Sequence, residues 1–300
     1  MEHCATTVAQ CSLTISWMKR IETVKLYPTP TQPAALAHVL HITRRIYNAA
    51  LQERKDAYRL RKITLTAKKQ YAEITALRRE SIALTSVYRE CVDAALHRLD
   101  LAYAAFFRRV ARSETPGFPR YKSASRWRQI SFPHGNRALK FNDLQTRLRV
   151  PGLGWVKVRK GRQVPAYGRA WLVLKSGRWY AQFECELAAQ PLPAVGADVG
   201  LDRGIAVLVA TSDGELFENP RPITQARLRL ARAQRIVAKR NRSGRNRRKA
   251  VAKVARLHEK VANQRRDRAH KISRSIVDRY DRIALMNGRL ASFAGSPRSV

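Results

Sequence analysis

The stretch "AVGADVGLDRGIAVLVATSDG", residues 194–214, sets three carboxylates, Asp198, Asp202 and Asp213, among two short apolar runs. A buried-strand pattern rarely carries an acid at its centre without a partner or a cation, so Asp198 calls for one or the other. Asp202 falls in the turn between the runs and Asp213 in "SDG", where turn chemistry alone accounts for an Asp. Histidine and cysteine offer less. The seven histidines are dispersed, and His258 and His270 stand twelve apart, which puts no pair in ligand geometry. Cys4, Cys11, Cys91 and Cys185 form no C-x-x-C pair, which argues against both a zinc site and a disulfide framework and points to a reducing compartment, the cytoplasm.

The chemistry with most residues behind it is phosphate binding. Lys and Arg number 59 against 22 acids, a formal charge of +37 that solubility does not require and that repels itself without a polyanion. Nucleic acid is the expected partner, and no apolar stretch approaches the roughly 20 residues of a membrane-spanning helix. Between Arg221 and Arg274 twenty Lys and Arg face two acids, Glu259 and Asp267. A solvated surface helix mixes signs for i,i+4 support; a face of one sign is what counterion release exploits. In "FPRYKSASRWRQ", Arg120, Lys122, Arg126 and Arg128 interleave with aromatics, the pattern of a nucleic-acid contact loop. Tyr27, Tyr47 and Trp127 are of a type that stacks on bases, and core packing explains Tyr47 equally well.

Several elements must position these groups. At 45% hydrophobic residues, the 300-residue chain can build one large domain or two to three small ones. Residues 1–17 read as a disordered segment or a mis-assigned start ahead of Met18. Alternation from Ile21 to Leu26 predicts a strand, broken by "YPTPTQ", with Thr31 capping the next helix. Helices are predicted over about 33–60, 66–77 and 87–110. In the last of these, Val92, Ala95, Leu96, Leu99, Tyr103 and Phe106 recur at helical spacing and read as core. From 130 to 187 the pattern turns to short alternating runs with Gly turns, including the hairpin signal "KSGRW", which argues for a small antiparallel barrel or sheet. After the Asp198 strand pair, residues 222–280 read as a basic helical hairpin turning at "NRSGRN". Its expected apolar stripes are Leu228, Ala231 and Ile236, then Val251, Val254, Leu257 and Val261.

Taken in order, "VKLYPTPTQ", "RRIYNAALQERK", "GFPRYKS", "LRVPGLGWVKVRKG", "GADVGLDRGIAVLVATSDG" and "RLHEKVANQRRDRAHKIS" resemble the TnpB (OrfB) proteins of insertion sequences, relatives of type V CRISPR effector nucleases. The resemblance runs from about Met18 to Ile283. It implies a multidomain α+β fold: a wedge-type antiparallel β-barrel from residues 18–32 and 120–190, with a helical, helix-turn-helix-like recognition domain inserted at 33–119. An incomplete RNase H-like (RuvC) α/β domain would follow at 194–287, then an irregular tail at 288–300. The implied partners are a guide RNA and target double-stranded DNA, and the implied cofactor is Mg2+.

By this resemblance Asp198 matches the first acid of the RuvC site. Met286 occupies the position of the second, and a thioether cannot replace a carboxylate for a hard cation. The third acid and the family's zinc ribbon lie beyond the matching region, so no zinc is expected. The expectation is therefore a guide-RNA- and DNA-binding protein of an RNA-guided endonuclease lineage, with Mg2+ binding weakened and cleavage lost. The alternatives are a nuclease-inactive RNA-guided regulator and a general basic RNA-binding protein. The nucleic-acid-binding candidates are Arg89, Arg120, Lys122, Arg126, Arg128, Lys157, Arg159, Arg240, Arg242, Arg245, Arg247, Arg248, Lys249, Arg265 and Arg266.

Overall fold

The computed structural model describes residues 17–159, 161, 163–188, 193–241 and 244–285. The expectations for residues 1–16, for Arg242, for Met286 and for the tail at 288–300 lie outside them. The chain divides into two compact units, Met1–Ala189 and Gln190–Val300.

The first unit opens with β1 (Trp17–Tyr27) and then α1 (Gln32–Arg61), α2 (Ala67–Glu80), α3 (Ile82–Thr85) and α4 (Arg89–Ala111). Pro33 in the first turn of α1 is pre-organised for helix. Thr31 does not cap it as the sequence suggests: its backbone is already helical, and it makes no side-chain cap bond. Gln32 takes over that end, its carbonyl oxygen accepting from the Thr29 N–H and its amide donating to the carbonyl oxygens of Leu153 and Trp155. At the other end Lys62 adopts a left-handed conformation, and the Ile63 N–H reaches back to the Ala57 carbonyl, closing the helix. Thr66 and Ser81 cap α2 and α3 with their hydroxyls.

The strands follow as β2 (Gln129–Phe132), a short α5 (Gly135–Ala138), β3 (Lys140–Phe141), β4 (Arg147–Val150), β5 (Gly154–Val158), β6 (Tyr167–Lys175) and β7 (Arg178–Ala188). They form one seven-stranded sheet in the order β2-β6-β7-β1-β5-β4-β3, with every pairing antiparallel. Between β6 and β7, Ser176 and Gly177 both have positive φ, the geometry of a tight hairpin turn that follows the strands' twist. The barrel expectation is corrected here. Among the described residues β2 and β3 end the ladder without pairing to each other, so the sheet is open. Closure requires matched stagger all round, and β3 is only two residues long.

One apolar core joins sheet and helices. Leu51, Leu96 and Leu99 from α1 and α4 share it with Ile130, Leu148, Leu172, Ala181 and Phe183. Cys91 and Cys185 are buried in it as free thiols whose pKa burial pushes up, so they are packing residues.

The second unit contains β8 (Asp198–Asp202), β9 (Val207–Thr211), β10 (Leu216–Glu218), α6 (Pro222–Ala238), α7 (Arg245–Val277) and β11 (Arg282–Leu285). Its four strands run β10-β9-β8-β11, with β11 parallel to β8 and the other pairs antiparallel. A small core of Val199, Leu201, Ile272 and Ile276 ties the sheet to the end of α7. The helical hairpin exists, but α6 turns another face inward: Leu230 and Ala233 are buried, whereas Leu228 is 83% exposed. Leu230, Ala233 and Val237 lie on one helical stripe, and packing against α7 selects that stripe over the one through Leu228. Asp202 is the last residue of β8 rather than a turn residue. No described helix is long and apolar enough to cross a membrane.

At α5 a Cβ added to Gly135 would lie 2.5 Å from the Ala170 Cβ and 2.6 Å from its backbone N, so this glycine is where the helical turn rests on β6. Gly135→Ala is expected to cost about 1–3 kcal/mol. Thermal unfolding followed by circular dichroism should show a Tm lower by a few degrees, and an unchanged Tm would refute the close approach.

Candidate nucleic-acid interface

The loop carrying Arg120, Lys122, Arg126 and Arg128 is seated on α1. Asn48 holds it at two points, donating to the Lys122 carbonyl at 3.0 Å and accepting from the Lys122 N–H at 2.8 Å. Trp127 is a second anchor: its indole N–H donates to the Thr43 hydroxyl at 2.9 Å, and its ring lies 5.2 Å from that of Tyr47 and under the Arg98 guanidinium. Trp127 and Tyr47 are both buried, so neither is an exposed stacking ring. Their burial leaves Arg120, Arg126 and Arg128 on the surface and Lys122 half-buried. Arg128 is tied back to the Ser125 carbonyl at 2.7 Å, while Lys122 reaches over the Tyr47 ring.

Under this loop lies an open cleft of about 330 Å3, walled by Tyr47, Phe106, Phe118 and Tyr121 and bordered by Arg109, Arg120 and Arg126. The Tyr47 hydroxyl is buried with no hydrogen-bond partner among the described residues. An unpaired buried hydroxyl costs about 1–3 kcal/mol. Burial raises the Tyr47 pKa, with Arg98 pulling it back.

Lys157 and Arg159 belong to a second surface. Cross-strand register places Lys157 beside Arg147 on one side and Tyr27 on the other, and places Arg149 between Trp155 and Lys140. All six of these side chains are exposed, and the alternate residues Leu26, Leu148, Val150, Val156 and Val158 are buried, with Phe141 half-buried. Cross-strand partners share a face, so the result is a patch of four cations and two aromatic rings. Arg159 extends it, its N–H donating to the Lys25 carbonyl at 2.9 Å. The sequence reading missed Lys140, Arg147, Arg149 and Trp155, although the alternation in "RLRV" and "WVKV" carries the signal.

In the second unit, Arg240, Arg245, Arg248, Lys249, Arg265 and Arg266 are exposed and Arg247 is half-buried. Four of these cations crowd the first turns of α7, where the helix macrodipole is also positive. A bound phosphate would relieve that repulsion. Of the two acids in α7, Glu259 is buried and Asp267 pairs with Lys271. Arg89 opens α4, exposed and 3.6 Å from Asp93.

Asp198 departs from the expectation of a buried acid within a strand. It is the first residue of β8, its side chain is 54% exposed, and both of its oxygens are engaged by Arg282, at 2.9 Å to Nε and 2.7 Å to a terminal nitrogen. The parallel register sets Asp198 directly opposite Arg282. Three neighbouring residues complete a latch. Arg279 donates to Glu215 at 2.6 Å, and the Tyr280 hydroxyl donates to Asp213 at 2.6 Å. Asp281 accepts from the backbone N–H groups of Val195 and Gly196, and its own N–H donates to the Ala197 carbonyl. Those bonds, first from Val195 and then from Gly196, hold the Asp281 carboxyl below its usual pKa, and the Asp198 carboxylate raises that of Arg282. Among the described residues no three His, Cys, Asp or Glu side chains gather closely enough to hold a metal ion.

Residues 182–287 match the family model OrfB_IS605, described as "Probable transposase". Residues 18–62 match that family's helix-turn-helix domain, although here they form a strand and one continuous helix. These matches define the class, an insertion-sequence protein of the transposase type. A protein of Streptomyces pristinaespiralis named "Putative RNA-guided DNA endonuclease" is 32% identical over 289 residues, covering 91% of this chain and 70% of its own. InsQ of Escherichia coli K12, named in the same words, is 31% identical over 203 residues, covering 67% of this chain and 48% of its own. The chain belongs to the TnpB (OrfB) family. Solved complexes of Cas12f1 with sgRNA and target DNA (TM-score 0.34, 10% identity, 90% of this chain and 73% of that one) and of a CRISPR-Cas12f ternary complex (0.31, 12%, 85% and 63%) are too distant to define the fold.

Because the Asp281 carboxyl is depressed, its contribution to stability is fully present above the unfolded pKa of about 4 and is lost as pH falls through the lowered folded value. Asp281→Asn should therefore lower the Tm of the second unit at neutral pH and match wild type at the acid end of the range. A Tm difference that does not shrink in acid would contradict this role. For the sheet patch, Arg147→Ala with Lys157→Ala should reduce the slope of log K against log salt for RNA binding by about 1–2. An unchanged slope would remove the patch from the interface.

Proposed function

We propose that this protein is an RNA-guided DNA-binding protein of the TnpB lineage that holds a guide RNA and target DNA without cutting the DNA. The first unit would combine the wedge and recognition functions. Residues 194–287 would be part of an RNase H-like domain. One observation carries the reading: the basic surfaces stand open while the candidate catalytic acid is bonded through both oxygens to Arg282.

Mg2+ fits the donor set poorly. A hard divalent cation takes several oxygen ligands, and a guanidinium, which stays protonated at all accessible pH, already holds the Asp198 pair. Asp213 and Glu215 accept from Tyr280 and Arg279. The second reading, an active endonuclease, is favoured by the words "RNA-guided DNA endonuclease" in the names of the two relatives.

The deciding experiment is to purify the protein from cells carrying its native flanking DNA, sequence the co-purifying RNA, and challenge the complex with a library of targets bearing randomised flanks in magnesium. A defined RNA with flank-selective binding and no cutting is expected. Cleavage that Asp198→Ala abolishes would instead establish the endonuclease, and heterogeneous RNA with no target selection would remove guided binding altogether.

A further inference from the structure

The cleft between α1, the end of α4 and the 117–126 loop has the wrong composition for a solvated groove and for a closed core. Its walls are aromatic. Phe118 packs edge-on to Phe106 at 5.2 Å and to Tyr103 at 5.7 Å, yet remains 44% exposed. Tyr121 is 45% exposed and fixed by its hydroxyl bond to Gln52, and the Lys55 ammonium lies over both the Tyr121 and Phe118 rings, at 4.4 and 5.3 Å. Rings held this firmly while half-open to solvent offer a stacking surface to a flat ligand, which would share them with the Lys55 ammonium or displace it.

The rim decides which flat ligand. Arg109, Arg120 and Arg126 border the opening, and none of the described residues lining it is acidic. A volume of about 330 Å3 lies at the small end of the ligand-pocket range, about 300–1,000 Å3. A second, independent feature is the Tyr47 hydroxyl, which is buried beside this cleft without a partner among the described residues. A polar ring edge would supply one.

We propose that this cleft receives a single unstacked nucleobase from a bound strand, stacked on Phe118 with its edge toward Tyr47 and its flanking phosphates on Arg109, Arg120 and Arg126. This rests on the nucleic-acid-binding reading above and adds to it a base-reading position distinct from the cationic sheet face. A guide RNA and an unwound DNA strand present the same chemistry here, a base on a phosphodiester chain.

The test uses the full chain with Tyr27→Ala and Trp155→Ala, so that the sheet face cannot stack bases, and measures affinity for short oligouridylate, oligothymidylate and an abasic strand of equal length. Base stacking predicts that the better of the two base-bearing strands binds roughly tenfold more tightly than the abasic one. The preferred sugar identifies RNA or DNA as the source. Phe118→Leu, which keeps apolar volume, should erase the discrimination and leave abasic binding intact. Tyr47→Phe should weaken base-dependent binding several-fold without lowering Tm. Equal binding of all strands overturns the cleft proposal and leaves the nucleic-acid-binding reading standing, as does discrimination that survives both Phe118→Leu and Tyr47→Phe. Failure to bind any strand removes both.

Discussion

Like-charge repulsion is the constraint on which the rest of the structure depends. With 59 cationic residues and 22 acids, no arrangement can neutralise the surface, so the fold has to choose where its few carboxylates go. They go to joints. Asp100 joins α4 to Arg54 of α1; Glu184 gathers Lys19 and Arg169 across three strands; Glu215 and Asp198 receive Arg279 and Arg282 at the close of the second unit. The exposed pairs at Glu215 and Asp198 contribute little stability each, whereas Arg54–Asp100 and the Glu184 carboxylate are largely buried. Their effect is to discharge cations that lie where elements meet, while the patches at Arg147 and Lys157 and at the start of α7 face solvent.

The same economy is visible in β1. One strand pairs with β7 along Trp17–Lys25 and then passes to β5 at Leu26 and Tyr27, so a single element joins both halves of the sheet. Strand alternation does two jobs at once at that crossing. Leu26, Leu148, Val156 and Val158 go inward and build the core, and the residues between them, Tyr27, Arg147, Trp155 and Lys157, are thereby forced outward together. Shifting the register by one residue would bury the cations and expose the core, so the basic patch is as firmly specified as the core itself.

That coupling explains what was legible in the sequence. Long amphipathic helices, the Ser176–Gly177 hairpin and the alternating strands were readable because each signal is local: a period, or two turn residues with positive φ. Readings failed where a partner distant in sequence decides the outcome. Thr31 looks like a cap, but the carbonyls of Leu153 and Trp155 recruit Gln32. Leu228 and Leu230 are equivalent in periodicity, and only α7 distinguishes them. Trp127 sits among arginines in a contact-like loop, and a bond to Thr43, 84 residues earlier, draws it into the core. The cleft under that loop is assembled from three separate segments, and no one of them announces it.

Asp198 shows the principle most sharply, because its environment comes from a strand 84 residues later. β11 is four residues long, lies at the edge of its sheet among the described residues, and pairs in parallel, the slightly weaker geometry, with Ile283 and Leu285 exposed. A strand so short gains little from its own ladder, and α7 must hand the chain to it without slippage. Four consecutive residues, 279–282, fix that handover, each bonded to a different acceptor or donor around β8 and β9. Asp198 is one of those acceptors. A cation bound there would have to displace the guanidinium that sets the register of β11, so the metal-ligating role that family resemblance assigns to this residue competes directly with its role in holding the sheet together.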